Sequence, residues 1–302
     1  MSSQCQLKFA FLQRLMVIYN PKDWWKLILS FQKSDTFRMM LPGILGIAFF
    51  TWLIVYFELV VFDLHYKNTT SIHALVGFVL SMLLVFRTNT AYDRWWEGRR
   101  LWGSFVNNAR NLALKLSALV ESPVERERLK ILIQNYVLAS KEHLREGVHP
   151  EMLKACDKYE IADMTMHTHV PNRIMQFIYD EVVILTKTGV ITQEQLLFLN
   201  SELQSFTDNI GACERIKKTP IPYSYSIFLK KIIFIYIISM PFGFAMEFGY
   251  WAVLIVPLLF YIFGSIELIA EEIEDPFGRD DNDLPTDQIS ETICSNLDDI
   301  LK

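Results

Sequence analysis

Four apolar runs, set in two pairs, alternate with polar stretches along the chain. The first, LPGILGIAFFTWLIVYFELVVF from Leu41 to Phe62, carries one charge, Glu58. It is long enough to cross the ~30 Å hydrocarbon core of a bilayer as a helix. SIHALVGFVLSMLLVF, Ser71 to Phe86, follows a brief polar loop. It falls short of the ~20 residues that a lipid-facing span needs, so it is expected to sit among other helices. The second pair runs from Lys230 to Met246 and from Phe248 to Ile266, divided by little more than Glu247. Pro241 and Pro257 fall inside these runs, where neighbouring helices can satisfy the carbonyls that a proline frees.

Between the pairs the pattern changes to polar segments with helical periodicity. In ERERLKILIQNYVLASKEHLRE, the positions Leu129, Ile131, Leu132, Ile133, Tyr136, Val137 and Leu144 fall broadly on one side. NRIMQFIYDEVVILTKTG and TQEQLLFLNSELQSFTDNIGACERI repeat that texture, the former stopping at Gly189. No stretch shows convincing strand alternation, so a helical polar domain is expected here.

Composition places these helices in lipid: 51% hydrophobic and 14% aromatic residues, with a mean hydropathy of +0.21, exceed what soluble domains usually carry. The net charge of −5 and the lack of a long basic run exclude nucleic acid as a partner. Charge also orients the runs. Lys22, Lys26, Lys33 and Arg38 precede the first run, Arg87, Arg94, Arg99 and Arg100 follow the second, and Lys217, Lys218, Lys230 and Lys231 flank the third, whereas the hairpin tips hold little beyond Lys67. Both termini and the middle domain are therefore expected in the cytoplasm. Trp95, Trp96 and Trp102 beside the arginines suit a membrane interface or a helix packing seam. No removable signal peptide is expected. Cys5, Cys156, Cys213 and Cys294 are scattered, without the spacing of a disulfide framework or a zinc site, and read as reduced thiols.

Enzyme chemistry finds little support. His167 and His169 form an HxH, but a two-residue step on a helix points the rings to different faces and no third ligand is signalled nearby, so a surface or junction role is expected. Cys213 has no histidine close in sequence to activate it, and no glycine-rich phosphate loop occurs.

In the second run, Ala74, Phe78, Met82 and Phe86 recur every four residues and share one gently drifting face, with Gly77 and Ser81 forming a small-residue face beside it. A ring of such helices would present apolar side chains to a central axis, and a narrow apolar tube gates ions by dewetting. The competing reading is ordinary core packing.

Three stretches, FRTNTAYDRWWEGRRLWG, GACERIKKTPIPYSYSIFLKK and EDPFGRDDNDLPTD, occur in this order relative to the apolar runs. Together they closely resemble the bestrophin family, particularly its bacterial members, over about residues 10–290. The resemblance implies an all-α membrane protein: four transmembrane helices in two hairpins with a helical cytosolic domain, assembled as a homopentamer around one axial pore. Its neck-lining positions fall on Phe78, Met82 and Phe86, where the family typically has Ile and Phe. Met82 is the departure, a more adaptable side chain. A second, cytosolic aperture falls on Ile221, which Pro220 and Pro222 hold out of a helix.

The tail holds Glu271, Glu272, Glu274, Asp275, Asp280, Asp281 and Asp283, a density of hard oxygen ligands that could bind Ca²⁺. Animal bestrophins form a calcium clasp there. By that resemblance Asp280 and Asp283 match its carboxylates, Asp275 offers a backbone oxygen and Glu272 stands where the animal proteins have an amide. The alternative is structural: the acids pair with the basic segment, through Arg94 or Arg99, across a subunit contact.

The expected organisation is thus a cytosolic N-terminal segment (1–38), a first transmembrane hairpin (39–90), a helical cytosolic domain (91–226), a second hairpin (227–270) and an acidic cytosolic tail (271–302). The resemblance implies a channel for small monovalent ions in a plasma or bacterial inner membrane. It needs no cofactor, with calcium as the candidate ligand, and its partners are its own copies, lipid and the permeating ions. Chloride is the family default. Sodium or potassium is the alternative, favoured by the acidic balance and by bacterial relatives, and a non-conducting oligomeric scaffold is the alternative of another class.

Overall fold

The computed structural model describes residues 35–62 and 71–302. Cys5, Lys22, Lys26, Lys33 and Lys67 lie outside the described residues. The elements are α1 (Asp35–Tyr56), continued by a π turn (Phe57–Val61), then α2 (Ser71–Leu119), α3 (Pro123–His143), a 3-10 turn (Pro150–Met152), α4 (Ile161–Thr165), α5 (Val170–Lys187), α6 (Gln193–Lys218), α7 (Tyr223–Phe248), a 3-10 turn (Gly249–Trp251), α8 (Ala252–Glu274) and α9 (Thr286–Ile300). No strand occurs among the described residues.

Two compact units divide the chain. Of the described residues, one takes 35–62, 71–94 and Pro220–Glu274; the other takes Trp95–Thr219 and Asp275–Lys302. The first is the apolar unit. Three stretches are long and apolar enough to cross a membrane: Thr36–Val61, Ser71–Leu119 and Tyr223–Glu274. The last contains α7 and α8, which fold back on each other: Ile233, Tyr236, Ile237 and Met240 of α7 meet Val256, Leu259, Phe260 and Phe263 of α8. Gly249 makes the reversal, at φ 56, a backbone that residues with a Cβ rarely adopt. Pro42, Pro241 and Pro257 all lie inside helices of this unit.

The second run is not the short helix expected from its apolar span. It is the start of a 49-residue helix that continues through the charged FRTNTAYDRWWEGRRLWG stretch to Leu119. Apolar patterning marks where lipid ends, whereas nothing between Phe86 and Leu119 stops a helix: no proline occurs until Pro123. Along α2 the buried positions of the apolar part, Gly77, Leu80, Leu84, Arg87 and Ala91, form one inward face.

The polar unit is built around aromatic contacts. Trp102 and Phe105 of α2 lie 5.5 Å apart, Phe105 and Phe206 of α6 6.0 Å, and Phe206 and Tyr136 of α3 5.3 Å, with the Tyr136 hydroxyl donating to the Phe206 carbonyl at 2.9 Å. Each large apolar side chain so buried contributes about 1.5–3 kcal/mol. Leu129, Leu132, Ile133, Tyr136, Val137 and Leu144 are buried as their spacing predicts, and Ile131 is half-buried. Helix α5 ends at Lys187, with Gly189 beyond it at φ 79. Helix α6 begins on a capping box between Thr192 and Gln195. Trp102 is a core residue rather than an interface anchor. Trp95 donates its indole N–H to the Asn282 carbonyl at 3.0 Å, joining α2 to the tail.

Candidate functional site

Phe78, Met82 and Phe86 occupy the opposite side of α2 from its buried face and are 63%, 46% and 57% exposed. They fill no core within the subunit. The small-residue expectation divides: Gly77 is buried under Tyr236, whose hydroxyl a Cβ would strike, whereas Ser81 is exposed and bonds back to the Gly77 carbonyl at 2.8 Å. Tyr236 reaches past Gly77 to donate to the His73 carbonyl at 3.1 Å, so the missing side chain is what lets α7 approach α2.

Immediately after Phe86, Arg87 turns inward. Its side chain is 1% exposed and meets Glu274 Oε2 at 2.6 Å and Glu267 Oε2 at 3.8 Å, the latter an ion pair too long for a hydrogen bond. The other oxygen of Glu274, Oε1, accepts the Ile221 backbone N–H at 2.6 Å. Arg94, two helical turns below Arg87, donates from Nε to the Glu274 carbonyl at 3.0 Å. Glu274 therefore connects the residue next to Phe86 with the backbone of Ile221, which lies between Pro220 and Pro222 outside any helix. Sequence reasoning missed Arg87 and Glu267 as partners. Arg87 read as one of several interface arginines, and Glu267 stands one residue beyond the last apolar run. Within the chain, Arg87 of the basic segment pairs with Glu274 and Glu267, and Arg94 donates to the Glu274 carbonyl.

In the tail loop, Asp283 is buried and its Oδ2 accepts the Asp280 N–H at 2.7 Å, while Asp280 itself is exposed. A Cβ at Gly278 would lie 2.6 Å from Asp283 Oδ2, so a larger residue there would displace the Asp283 carboxylate. Asp275 is exposed and Glu272 lies within α8. Among the described residues, the side chains close enough together to hold a metal ion are not these acids but His143, His169 and Glu214.

That grouping corrects the reading of the HxH. Its residues are not on a helix: His167 is exposed in a bend and His169 caps α5. Beside His169 stand His143 of α3 and Glu214 of α6. Cys213 beside them is buried, which pushes its thiol up to about 12 and removes it as a nucleophile at neutral pH. His143 titrates below the ordinary imidazole value because it is buried and faces His169. Burial opposes ionisation of Glu214, but hydrogen bonds from Lys218 and His169 outweigh it and hold the carboxyl below its ordinary range.

With described residues that are helical and free of strands, three long apolar stretches, an exposed row of phenylalanine and methionine and ion pairs buried at the foot of those helices, this is a membrane protein. The family model described as bacterial/fungal bestrophin protein matches residues 16–299. The chain belongs to the bestrophin family. Among curated relatives it is 40% identical over 230 residues to a voltage-dependent anion channel-forming protein of Nostoc sp., covering 74% of this chain and 75% of the relative. It is 29% identical to the voltage-dependent anion channel-forming protein YneE of Escherichia coli, over 93% of each chain. Among solved structures, a bacterial bestrophin homolog from Klebsiella pneumoniae superposes with a TM-score of 0.78 at 24% identity, over 87% of this chain and 98% of that one. A crystal structure titled only as a membrane protein gives 0.80 over the same shares.

Proposed function

We propose that this chain assembles as a homopentamer and conducts small monovalent anions, chloride by default, through a neck lined by Phe78, Met82 and Phe86 and an aperture at Ile221. The observation that carries the reading is the exposure of that row: three large apolar side chains, four residues apart, on one side of α2 that the subunit leaves uncovered. The printed names of its relatives, anion channel-forming proteins, support conduction and its sign. In this reading α1, the apolar part of α2, α7 and α8 each cross the membrane, a bacterial inner or plasma membrane, and the lysine and arginine flanks keep both termini in the cytoplasm. The rings of Phe and Met carry no formal charge, so selectivity falls to ring edges, helix dipoles and nearby charges.

Purified protein in planar bilayers under a KCl gradient tests this. Single-channel steps reversing near the chloride equilibrium potential are expected. Reversal near the potassium potential would assign a cation channel instead, and silence at every voltage, with or without calcium, would leave the oligomeric scaffold. A calcium dependence abolished by Asp280→Ala would place Ca²⁺ at the tail loop; currents indifferent to chelator would leave those acids a structural role.

A further inference from the structure

His143 is the last residue of α3, His169 precedes α5 and Glu214 lies in the last turns of α6. Three elements distant in sequence thus bring two imidazoles and a carboxylate to one point. His143 Nε2 lies 2.9 Å and His169 Nε2 2.5 Å from the same oxygen, Glu214 Oε1, and the rings stand 4.4 Å apart at 37°. The second carboxylate oxygen, Oε2, takes the ammonium of Lys218 at 3.0 Å, which holds Oε1 toward the histidines. His169 Nδ1 accepts the Asn172 backbone N–H at 3.2 Å, which places the ring proton on Nε2, toward Glu214. All three side chains are half-shielded, at 21%, 31% and 16% exposure, so solvent can reach the point where they converge.

We propose that His143, His169 and Glu214 form a binding site for a divalent transition-metal ion, Zn²⁺ being the best fit. Two imidazole nitrogens and one carboxylate oxygen are the donor set that zinc takes with a fourth position left for water. A purely hard-oxygen ion such as Ca²⁺ would not select two nitrogens. Coordination replaces the Nε2 protons that now point at Glu214. Each ring then carries its proton on Nδ1, and the Asn172 N–H, exposed at the first turn of α5, passes to water. The donor atoms need only open from contact with one another to the spacing around a shared ion. The site joins α3, α5 and α6 within the polar unit and does not depend on whether or what the protein conducts.

The test uses full-length protein in detergent, stripped with a chelator, then titrated with Zn²⁺ against a chromophoric competitor and separately with Co²⁺ followed by visible absorption. One ion per chain is expected, with Co²⁺ bands of four- or five-coordinate intensity. His143→Gln, His169→Gln and Glu214→Gln should each weaken binding by more than the roughly 10- to 100-fold typical of losing an outer partner. His167→Gln should bind as wild type, since His167 is exposed and outside the cluster. Wild-type protein that binds no stoichiometric Zn²⁺ overturns the proposal without recourse to any variant. So does wild-type affinity in His143→Gln or His169→Gln. Neither readout involves current, so a silent bilayer experiment would leave this result standing and a failed titration would leave the channel reading standing.

Discussion

Replacing Arg87 with methionine tests the buried charges at the foot of the apolar helices. In the wild type the guanidinium is 1% exposed, and the carboxylates that face it, Glu267 and Glu274, are 6% and 12% exposed. At an effective dielectric of ~20, contacts of 2.6 and 3.8 Å correspond to gross attractions of about 6 and about 4 kcal/mol. Desolvating each ion costs several kcal/mol, so the intact triad is near break-even. Removing the cation alone is different: two shielded carboxylates then lose the guanidinium they share, at a cost of about 3–5 kcal/mol. For a chain of this size that is roughly 2 °C per kcal/mol, a fall of about 6–10 °C in the melting temperature followed by tryptophan fluorescence in detergent at fixed scan rate. The triple variant Arg87→Met, Glu267→Gln, Glu274→Gln should recover most of the loss, because no charge is stranded. Arg87→Met melting within about 2 °C of wild type, or a triple variant no better than the single, would refute the claim that these groups are mutually compensated.

Alanine at Phe78, Met82 or Phe86 should change thermal stability by no more than about 0.5 kcal/mol, because these side chains are exposed in the subunit, while raising conductance or altering gating; unchanged currents with unchanged stability would mean that another face lines the path. Gly77→Ala should destabilise by about 1–3 kcal/mol, since the new methyl meets the Tyr236 hydroxyl and breaks its bond to the His73 carbonyl, and a neutral effect in the same melt would show that α7 is free to yield. Burial opposes ionisation of Asp287, but hydrogen bonds from Arg145 and Lys141 outweigh it and set its pKa at about 2, against an ordinary 3.8. A depressed carboxyl stabilises fully above its ordinary value and loses that contribution as pH falls through the folded one. With the side chain 38% exposed, solvent screening leaves about 1 kcal/mol, so the gap between wild type and Asp287→Asn should close between pH 4 and 2, and a gap constant across that window would count against the pairing.

The elements most readable from sequence were those whose signal is local. Gly189 ends α5 by taking a positive φ that side chains with a Cβ rarely adopt, and four-residue spacing puts Phe78, Met82 and Phe86 on one face of α2, although whether that face is covered came only with the fold. What was not readable depends on partners far along the chain. Glu214 lies 71 residues from His143 and 45 from His169, and no periodicity links α3, α5 and α6 at that one point. The HxH was given a surface or junction role for a related reason: spacing on an assumed helix decided the matter, whereas the backbone at residues 166–169 is irregular and His169 lies beside His143 and Glu214. The length of α2 was missed because hydropathy falls at Arg87 although the helix does not end there.

Glu274 shows how one side chain can tie the two proposed constrictions together. It is the last residue of α8, where a negative charge is disfavoured by the helix dipole, so it needs compensation. Arg87 supplies that at Oε2, and Arg94 reaches the carbonyl of the same residue. With Oε2 so held, Oε1 fixes the backbone N–H of Ile221, a residue whose flanking prolines leave it few other local restraints. A rotation of α2 that carried Phe86 toward or away from a shared axis would also move Arg87, and through one carboxylate would pull on the segment bearing Ile221. Substitutions at Phe86 and Ile221 should therefore be non-additive in their effect on gating, and Glu274→Ala should abolish that coupling while leaving the side chains of both residues intact.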